Sequence, residues 1–425
     1  MHHFHYIDNE LFCENVAIRA ICEDVGTPVY VYSKSTLERH FQVFREPFLS
    51  TKHLVCFSMK ACSNVAILRI FSNLGGGVDI VSGGELFRAL KAGVEPSRIV
   101  YSGVGKKAAE MMEALEADIL MFNVESEQEL LELNRTALDA GKRARIAFRV
   151  NPDVDPLTHP YISTGMKKNK FGIQMDQAFH LYSLAKTLQG VEPVGVDCHI
   201  GSQLTELSPF TAAVNKLKEL IYKLRSEDID VKYLDVGGGL GIPYDQEEPP
   251  VPAEYGAAIL DMIKDLDITL LLEPGRVLTG NAGVLVTRVL YQKQGAAKNF
   301  VIVDAAMNDL LRPSLYQAHH AIWKVVKPSS PHGSVNKIVA DVVGPICESG
   351  DFLAQSREID EVSQGDLLAV MSAGAYGFSM SSNYNSRPRV AEVIVDGIHY
   401  HVVRDRETYA DLIRGERVPL SFLQP

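Results

Sequence analysis

The apolar residues between positions 54 and 272 follow a repeating pattern. Short runs rich in Val, Ile and Leu recur along this stretch, and each is followed by a segment whose apolar residues have helical spacing. Several runs, such as 119–122 and 270–272, are apolar without alternation, which is typical of parallel strands covered on both faces. The predicted strands are 54–59, 78–81, 99–102, 119–123, 145–150, 194–199, 233–236 and 269–272.

These runs make eight successive β-α units. Eight units in series favour a (β/α)8 TIM-type barrel, with an open doubly wound parallel sheet as the structural alternative. The connection between the fifth and sixth predicted strands contains the long segment 153–172. Long loops in compact folds are usually functional or disordered, so this segment is interpreted as a lid over a site, as a loop facing an anion or as solvated surface.

Beyond Arg276 the pattern changes to alternating apolar and polar residues, interrupted by Gly, Asn and Pro. This pattern predicts a C-terminal antiparallel β-sheet or β-barrel domain, and the strand-like N-terminal segment 29–32 is expected to join it. The predicted domains are a barrel at 34–277 and a β domain made of 1–33 plus 278–425. The predicted C-terminal strands are 284–291, 300–303, 337–343, 367–371, 390–395 and 399–403.

The composition is that of an ordinary globular protein, since 46% of the 425 residues are hydrophobic and 22% are charged. The net charge of -11 repels phosphate backbones, so nucleic acid is not expected as a partner. No apolar run approaches the ~20 residues that span a bilayer, so no membrane association is expected. None of the six cysteines forms a C-x-x-C pair, which favours a reduced, cytoplasmic protein without a structural metal site.

Candidate chemistry begins with the lysine after the first predicted strand. The active site of a (β/α)8 barrel lies at the C-terminal ends of its strands, so Lys60 is expected at the barrel mouth. Burial disfavours the charged form of an amine and makes it a better nucleophile. Lys60 could therefore hold an aldehyde cofactor as a Schiff base, although a surface lysine with a buried stem is the simpler interpretation.

Glycine-rich turns follow the seventh and eighth predicted strands, at 237–241 and 273–276. Barrels often bind phosphate at these two loops through backbone N–H groups, and Arg276 would add a charged contact. Glu273 has a second possible use, because the nitrogen of a pyridine ring stays protonated beside a carboxylate. The alternative for Glu273 is a salt bridge in the barrel core.

Further polar residues lie at other strand ends. His199 and Ser202 follow the sixth predicted strand, where the histidine could stack on a flat ring or be a hydrogen-bonded core residue, and the serine could donate to a phosphate. Asp79 and Arg149 lie at the ends of the second and fifth predicted strands. Buried charge is costly unless paired, so ion pairs are expected there, in a structural role as much as a catalytic one.

Three segments of the β domain also carry chemistry. A cation and a phenol lie four residues apart in 311–316, a thiol lies beside a carboxylate in 345–351, and a tyrosine lies in the flexible loop 373–377. Taken singly, each segment is most simply an ordinary loop.

Together, six of these motifs resemble the alanine-racemase-like, fold type III pyridoxal-phosphate decarboxylases, and within them the diaminopimelate branch. The resemblance is specific because the motifs occur in the family's order between about residue 57 and residue 377. The matching motifs are Phe57-Ser-Met-Lys60, His199-Ile-Gly-Ser-Gln203, Gly237-Gly-Gly-Leu-Gly241, Glu273-Pro-Gly-Arg276, Cys347-Glu-Ser-Gly-Asp351 and Gly374-Ala-Tyr-Gly377.

The resemblance implies a pyridoxal 5'-phosphate enzyme in which Lys60 forms the Schiff base. It further implies that Cys347 donates the proton after decarboxylation and reaches the site from the other subunit, so that the enzyme is an obligate head-to-tail homodimer. The implied cofactor-binding residues are Lys60, Asp79, His199, Ser202, Gly239, Glu273, Gly275, Arg276 and Tyr376. The implied substrate-binding residues are Arg276, Arg312, Tyr316, Glu348 and Tyr376, with no metal ligand.

The expected reaction is decarboxylation of meso-2,6-diaminopimelate to L-lysine and CO2, the last step of lysine biosynthesis. Relatives acting on ornithine or arginine tend to have an aspartate after the cysteine, whereas this chain has Glu348. Arg312 and Arg276 suit the distal carboxylate of the substrate, with Tyr316 assisting, and Glu348 suits its distal amine. The alternatives are a decarboxylase of the ornithine, arginine or carboxynorspermidine type, a racemase of the same fold, a non-catalytic pyridoxal-phosphate-binding protein and, remotely, a metal-dependent hydrolase.

Overall fold

The computed structural model describes residues 2–155, 170–327 and 336–422. The strands are β1 Phe4–Ile7, β2 Glu10–Cys13, β3 Val16–Ala17, β4 Val29–Ser33, β5 His53–Ser58, β6 Gly77–Ile80, β7 Ile99–Tyr101, β8 Met121–Val124, β9 Ala144–Asn151, β10 Ile173–Gln174, β11 Val191–Asp197, β12 Tyr233–Asp235, β13 Thr269–Leu272, β14 Gly283–Gln294, β15 Asn299–Val303, β16 Ile322–Lys324, β17 Lys337–Val343, β18 Phe352–Asp360, β19 Leu367–Val370, β20 Ala391–Asp396 and β21 His399–Arg404. The α-helices are α1 Ile18–Val25, α2 Lys34–Arg45, α3 Val65–Asn73, α4 Gly83–Lys91, α5 Ala108–Ala117, α6 Glu127–Asp139, α7 Met175–Thr187, α8 Ser208–Ser226, α9 Pro252–Ile263, α10 Arg276–Thr279, α11 Arg312–Tyr316 and α12 Tyr409–Leu412.

The chain forms two compact units, one made of Thr36–Asn281 and the other of Met1–Ser35 with Ala282–Pro425. Most of the long 153–172 segment lies outside the described residues. Within those residues, no helix combines the length and apolar character that crossing a membrane requires.

The first unit is a closed parallel barrel. Its eight strands pair in the order β5-β6-β7-β8-β9-β11-β12-β13, and β13 pairs with β5 to complete the circle. The prediction of a (β/α)8 barrel is therefore confirmed and the open sheet is excluded. The sixth strand begins at Val191, earlier than predicted, and the short β10 adds alongside β9.

Strands of this barrel are mainly apolar because both of their faces are covered. The barrel contains an apolar cluster of Cys56, Val100, Met121, Ala147, Val194 and Leu271, and each of these residues is at most 2% exposed. The helices bury one face each. In α8, for example, Phe210, Val214, Leu217, Ile221 and Leu224 recur at the spacing of a single helical stripe and are all buried.

Serine side chains begin two of the barrel helices close behind their strands. Ser82 Oγ accepts the N–H of Glu85 at 3.2 Å, and Ser126 Oγ accepts the N–H of Glu129 at 3.1 Å. Such caps satisfy backbone donors that the first helical turn leaves unpaired. They fix the short loops at the C-terminal ends of β6 and β8, which is the end of the barrel where the candidate residues lie.

The second unit is a β-sheet domain. Its main sheet has the order β18-β17-β15-β14-β4-β20-β21, and β19 pairs with both β14 and β16. The expected entry of the N-terminal segment is confirmed, since β4 pairs with β14 and β20. A core that includes Val29, Val31, Val284, Val286 and Val393 lies against this sheet.

The sheet is mixed rather than purely antiparallel, because the β15–β17 and β4–β20 pairs are parallel. Parallel neighbours need long connections, and here one connection contains α11 and β16 while the other spans most of the chain. Sequence patterning did not predict β1, β2, β3, β16 or β18. In the middle of β18, Gln355, Ser356 and Glu358 are exposed and Arg357 is half-buried, so polar residues interrupt the apolar run of that strand.

Candidate active site

Lys60 lies at the mouth of the barrel, one residue into the short 3-10 turn Met59–Ala61 that follows β5. Its Nζ lies 2.9 Å from Asp79 Oδ2, and the Lys60 side chain is 34% exposed whereas that of Asp79 is fully buried. Ser58 Oγ lies 3.1 Å from Asp79 Oδ2 and 3.0 Å from the carbonyl oxygen of Glu273. The expected ion pair at Asp79 is therefore present, and its partner is the lysine itself.

Buried carboxyl groups line the barrel beside this pair. Burial raises the pKa of Glu273 well above its ordinary value, and the nearby Asp235 and Asp79 raise it further. Burial likewise raises the pKa values of Asp197 and Asp235. One oxygen each of Asp197, Asp235 and Glu273 lies within 4.8 Å of the others, a spacing that would suit a cation or shared protons. Carboxylates this close in a dry interior do not all ionise, so the group retains protons.

His199, half-buried, follows β11 and contacts the first glycine turn. Its Nδ1 accepts the N–H of Gly238 at 3.1 Å, so any ring proton is on Nε2. Burial lowers the pKa of His199 well below its usual value, and the cations Lys60 and Arg149 lower it further. A neutral, hydrogen-bonded imidazole offers a flat face to an aromatic ring without adding charge.

The glycine turn after β12 needs its glycines. Gly237 and Gly239 have φ values of +66° and +113°, and a Cβ on Gly238 would collide with the carbonyl oxygen of Glu273. A Cβ on Gly239 would lie 2.6 Å from the carbonyl oxygen of Gly201. The turn is therefore bare backbone packed closely against its neighbours, which is the construction that lets N–H groups approach a phosphate.

Arg276 joins the loops after three strands. Its NH2 nitrogen donates to Ser202 Oγ at 2.9 Å, and its NH1 nitrogen donates to Tyr244 Oη at 2.8 Å. Gly275 is tightly packed, since a Cβ there would lie 3.1 Å from that of Ala61. The structure thus brings Ser202 and Arg276 together at the end of the barrel that carries the glycine turn. Tyr244 was not predicted from the sequence, and the one signal for it was its position three residues after the Gly237–Gly241 motif.

Arg149 has a structural role in the described chain. It contacts Glu125 Oε1 at 3.2 Å and the carbonyl oxygen of His199 at 3.4 Å, and its guanidinium lies 4.8 Å from the Phe171 ring centre. Glu125 Oε2 also accepts the N–H of Gly172 at 2.9 Å. The Arg149–Glu125 pair therefore links the chain at Gly172 to the loop that carries His199. Glu125 was not predicted from the sequence.

The candidate residues of the second unit form a cluster of their own. Arg312, in α11, is buried, and its NH1 nitrogen lies 2.8 Å from His320 Nε2. Ser314 Oγ, in the same helix as Arg312 and Tyr316, donates to the carbonyl oxygen of Gly350 at 2.6 Å. Helix α11 is thereby held against the 345–351 turn that carries the thiol and the neighbouring carboxylate.

The exposed turn contains the one cysteine thiol that solvent reaches. All six cysteines are described, and Cys347 is exposed whereas the other five are buried. Burial raises the pKa of Cys56 and of Cys198, which keeps those thiols protonated and unreactive. Tyr376 lies in the loop after β19 with φ +56°, a left-handed conformation that tyrosine rarely adopts and that is often found at functional sites.

Comparison with known proteins places the chain that carries these two clusters in a family. The pyridoxal-binding domain model of the pyridoxal-dependent decarboxylases matches residues 34–280. The chain is 51% identical to the diaminopimelate decarboxylase of Pseudomonas aeruginosa over 413 residues, which cover 97% of this chain and 98% of that protein. It is also 51% identical to the enzyme of that name from Vibrio cholerae over 420 residues, covering 98% and 99% of the two chains.

Solved structures agree with these sequence relatives. The crystal structure of Helicobacter pylori diaminopimelate decarboxylase complexed with L-lysine superposes with a TM-score of 0.89 at 43% identity, covering 93% of this chain and 98% of that one. The M. jannaschii diaminopimelate decarboxylase in co-complex with L-lysine gives a TM-score of 0.92 at 38% identity, with 98% of each chain covered. The chain therefore belongs to the diaminopimelate decarboxylases, within the family of pyridoxal-dependent decarboxylases.

Proposed function

We propose that this chain decarboxylates meso-2,6-diaminopimelate to L-lysine and CO2, the last step of lysine biosynthesis. Its family consists of pyridoxal-phosphate-dependent carboxy-lyases, and structures of two relatives contain L-lysine, the product of this reaction. The observation that carries the proposal is the Lys60–Asp79 pair at the mouth of the barrel. It places an amine beside buried carboxyl groups and a close-packed glycine turn, which together suit this cofactor.

The residues present fit pyridoxal phosphate in three respects. Lys60 Nζ is partly exposed and would bind the aldehyde, while the bare turn around Gly239 and the Arg276–Ser202 contact suit the phosphate. Asp79 Oδ1 is buried and accepts no hydrogen bond among the described residues, so an acidic oxygen is available at the site. When bound, the cofactor supplies an electron sink for the pair released as the α-carboxylate leaves.

The proposed roles of the barrel residues follow from their positions. Lys60 would hold the cofactor, and the neutral ring of His199, fixed by its hydrogen bond from Gly238, would contact it. Glu273, with Asp79 nearby, serves the ring nitrogen, since a carboxyl whose pKa is raised by burial can share a proton with it. We assign the phosphate to Ser202, Gly239, Gly275, Arg276 and Tyr376.

The proposed roles in the second unit concern the substrate and the returning proton. Arg312, with Arg276 and Tyr316, binds the distal carboxylate, and Glu348 binds the distal ammonium. The thiol of Cys347 delivers a proton to Cα after CO2 has left, and Tyr376 contacts the substrate. On this proposal residues 34–277 form the cofactor-binding domain, while 1–33 and 278–425 carry the proton donor and the substrate-binding residues.

We also propose a head-to-tail homodimer with active sites shared between subunits. The exposure of Cys347 and Glu348 in the single chain supports it, because decarboxylation and proton return are efficient only where bulk water is excluded. A cytoplasmic location fits the six cysteines, none of which forms a disulfide.

The experiment that tests the function follows CO2 and L-lysine after meso-diaminopimelate and pyridoxal phosphate are added to purified protein. Lys60→Ala should lose both the visible absorbance of the bound cofactor and lysine formation, because it removes the amine that binds the aldehyde. Lys264→Ala, at a 71% exposed side chain, is the matched control and should keep both.

Other outcomes of that experiment distinguish the alternatives. A normal cofactor spectrum in Lys60→Ala would contradict the assignment of that lysine. A borohydride-sensitive cofactor band without lysine formation would move the substrate to ornithine, arginine or carboxynorspermidine.

A further inference from the structure

Two adjacent residues that the proposed mechanism does not use contact the turn of the proton donor. Asn385 Oδ1 accepts the backbone N–H of Cys347 at 2.9 Å. Tyr384 Oη donates to Glu348 Oε2 at 2.7 Å. Tyr384 and Asn385 thus each contact one of two neighbouring functional residues, and both contacts lie within the unit that contains Ala282–Pro425.

The turn that carries Cys347 and the segment that carries Tyr384 are both attached to the chain at 307–308. Asp351 ends the Cys347 turn and accepts the N–H groups of Met307 and Ile346 at 2.7 Å each. Asn308, which is 2% exposed, exchanges hydrogen bonds with the backbone of Ser382, just before Tyr384. Because Asp351 and Asn308 are both buried, the spacing between the exposed contacts of Tyr384 and Asn385 is set by the interior of the domain.

The backbone that follows Tyr384 is held in an unusual conformation. Asn385 and Ser386 are consecutive non-glycine residues with φ values of +53° and +55°. Left-handed backbone is unfavourable for residues with a Cβ, although asparagine tolerates it better than most. Strained conformations of this kind persist where the surrounding structure enforces them and are concentrated at functional sites.

We propose that Tyr384 and Asn385 are positioning residues for the decarboxylation. Tyr384 holds the carboxylate of Glu348 so that Oε1 faces the distal ammonium of the substrate, and Asn385 holds the backbone of Cys347 so that its thiol reaches Cα. The inference rests on the proposed function, since the roles of Glu348 and Cys347 belong to it. The hydrogen bond to Glu348 raises the pKa of Tyr384, so the phenol remains a donor.

The test for Tyr384 compares meso-diaminopimelate with 2-aminopimelate, which lacks the distal amine. Tyr384→Phe should lower kcat/KM for diaminopimelate about tenfold, mainly through KM, because a hydrogen bond to a charged group is lost. The value for 2-aminopimelate should stay unchanged. Tyr409→Phe, at a tyrosine that is 78% exposed, is the matched control and should alter neither substrate. Equal losses for both substrates in Tyr384→Phe would overturn the proposal, since they would indicate a general structural role.

Glu348→Gln separates failure of this inference from failure of the proposed function. If Glu348→Gln abolishes the preference for diaminopimelate and Tyr384→Phe does not reduce it, the positioning role of Tyr384 is wrong while the role of Glu348 stands. If Glu348→Gln keeps the preference, the assignment of the distal amine to Glu348 fails, and the role of Tyr384 fails with it.

The test for Asn385 uses Asn385→Gly against Ser386→Gly. Glycine suits the positive φ at both positions, and no hydrogen bond involves the Ser386 side chain among the described residues, so only Asn385→Gly removes a contact. Asn385→Gly should lower kcat about tenfold and raise the solvent deuterium isotope effect on kcat, because a misplaced thiol makes proton return slower. The absorbance of the bound cofactor should be the same in both variants.

Two results would contradict the positioning role of Asn385. Equal effects of Asn385→Gly and Ser386→Gly, or a reduced kcat without a change in the isotope effect, would indicate loop stability rather than donor positioning. Cys347→Ala tests the underlying assignment, because a wild-type kcat and isotope effect in that variant would remove the donor role of Cys347 and the purpose of Asn385 together.

Discussion

Single residues with a chemical signature were predictable from the sequence, and their partners mostly were not. Lys60, Glu273 and Arg276 follow predicted strands in recognisable motifs, and the structure places each near the barrel mouth or interior. Tyr244 contacts Arg276 from 32 residues away, and no local pattern links two positions so far apart. Glu125, Tyr384 and Asn385 were missed for the same reason, because their contacts exist only after the chain has folded.

The glycine turn offers a test of close packing at one residue. Gly238→Ala places a Cβ against the carbonyl oxygen of Glu273, a backbone atom that has little room to move. Overpacking of this kind costs about 1–3 kcal/mol of unfolding free energy, and it should also weaken cofactor binding by displacing Glu273. Gly105→Ala is the control, since nothing lies within 4 Å of its added Cβ. Urea unfolding and cofactor titration measure both effects, and equal stability of the two variants would contradict the packing argument.

The buried carboxyl group of Asp235 makes stability depend on pH. Burial and then the nearby Asp197 raise its pKa above the ordinary value of 3.8, so the folded state holds this proton more tightly than the unfolded state does. Its contribution is complete below pH 3.8 and is lost as the pH rises through the raised pKa of the folded state. Asp235→Asn cannot ionise and keeps an oxygen for the Gly237 N–H.

The cofactor-free Asp235→Asn variant should therefore gain stability relative to wild type as the pH rises, by up to about 1.4 kcal/mol per pH unit for one proton. The measurement is urea unfolding across a pH series. Asp261→Asn, at a 73% exposed side chain, should run parallel to wild type. A constant difference between Asp235→Asn and wild type at every pH would show that folding does not change the proton affinity of Asp235.

At the scale of elements, prediction succeeded where burial is uniform and failed where it is not. All eight barrel strands were found because strands covered on both faces are buried along their length and mainly apolar, as in β6 and β8. In the second unit, β18 was missed because polar residues interrupt it. The parallel pairing of β4 with β20 was missed because pairing partners are not encoded locally. The predicted ends of turns and strands also differ from the observed ends by a few residues, because the point at which pairing stops is not encoded locally.

Helix α8 tests how much the outer layer contributes to the barrel. Leu217 is fully buried on the apolar stripe of this helix, so Leu217→Ala leaves a cavity as well as losing buried apolar surface. Such truncations cost about 2–5 kcal/mol. Leu138→Ala in α6 removes the same atoms from a residue that is 50% exposed and should cost far less. Urea unfolding of both variants measures the difference, and similar losses would mean that α8 is not packed as the structure has it.

At the scale of the whole molecule, the chemistry is divided between two compact units. The barrel carries the amine, the carboxyl groups and the glycine turn, whereas the β domain carries the arginine, the exposed thiol and the glutamate. Motif order along the chain predicted this division, because the barrel motifs end near Arg276 and the others follow it. Whether the thiol proposed as proton donor serves the barrel of its own chain or that of a second copy is a question of assembly, and patterns within one chain do not encode it.

Mixing two inactive variants answers that question. Lys60→Ala lacks the amine and Cys347→Ala lacks the thiol, so each variant alone should have little activity. If sites are shared between subunits, random reassociation gives mixed dimers with one intact site each, and the mixture should recover about a quarter of wild-type activity. If each site is formed by one chain, mixing restores nothing, since every site then keeps its own defect. The control mixes Lys60→Ala with the double variant Lys60→Ala, Cys347→Ala, in which every site lacks its lysine under either arrangement. Recovery in the first mixture alone would therefore mean that the catalytic unit is the dimer, while no recovery would confine each active site to a single chain.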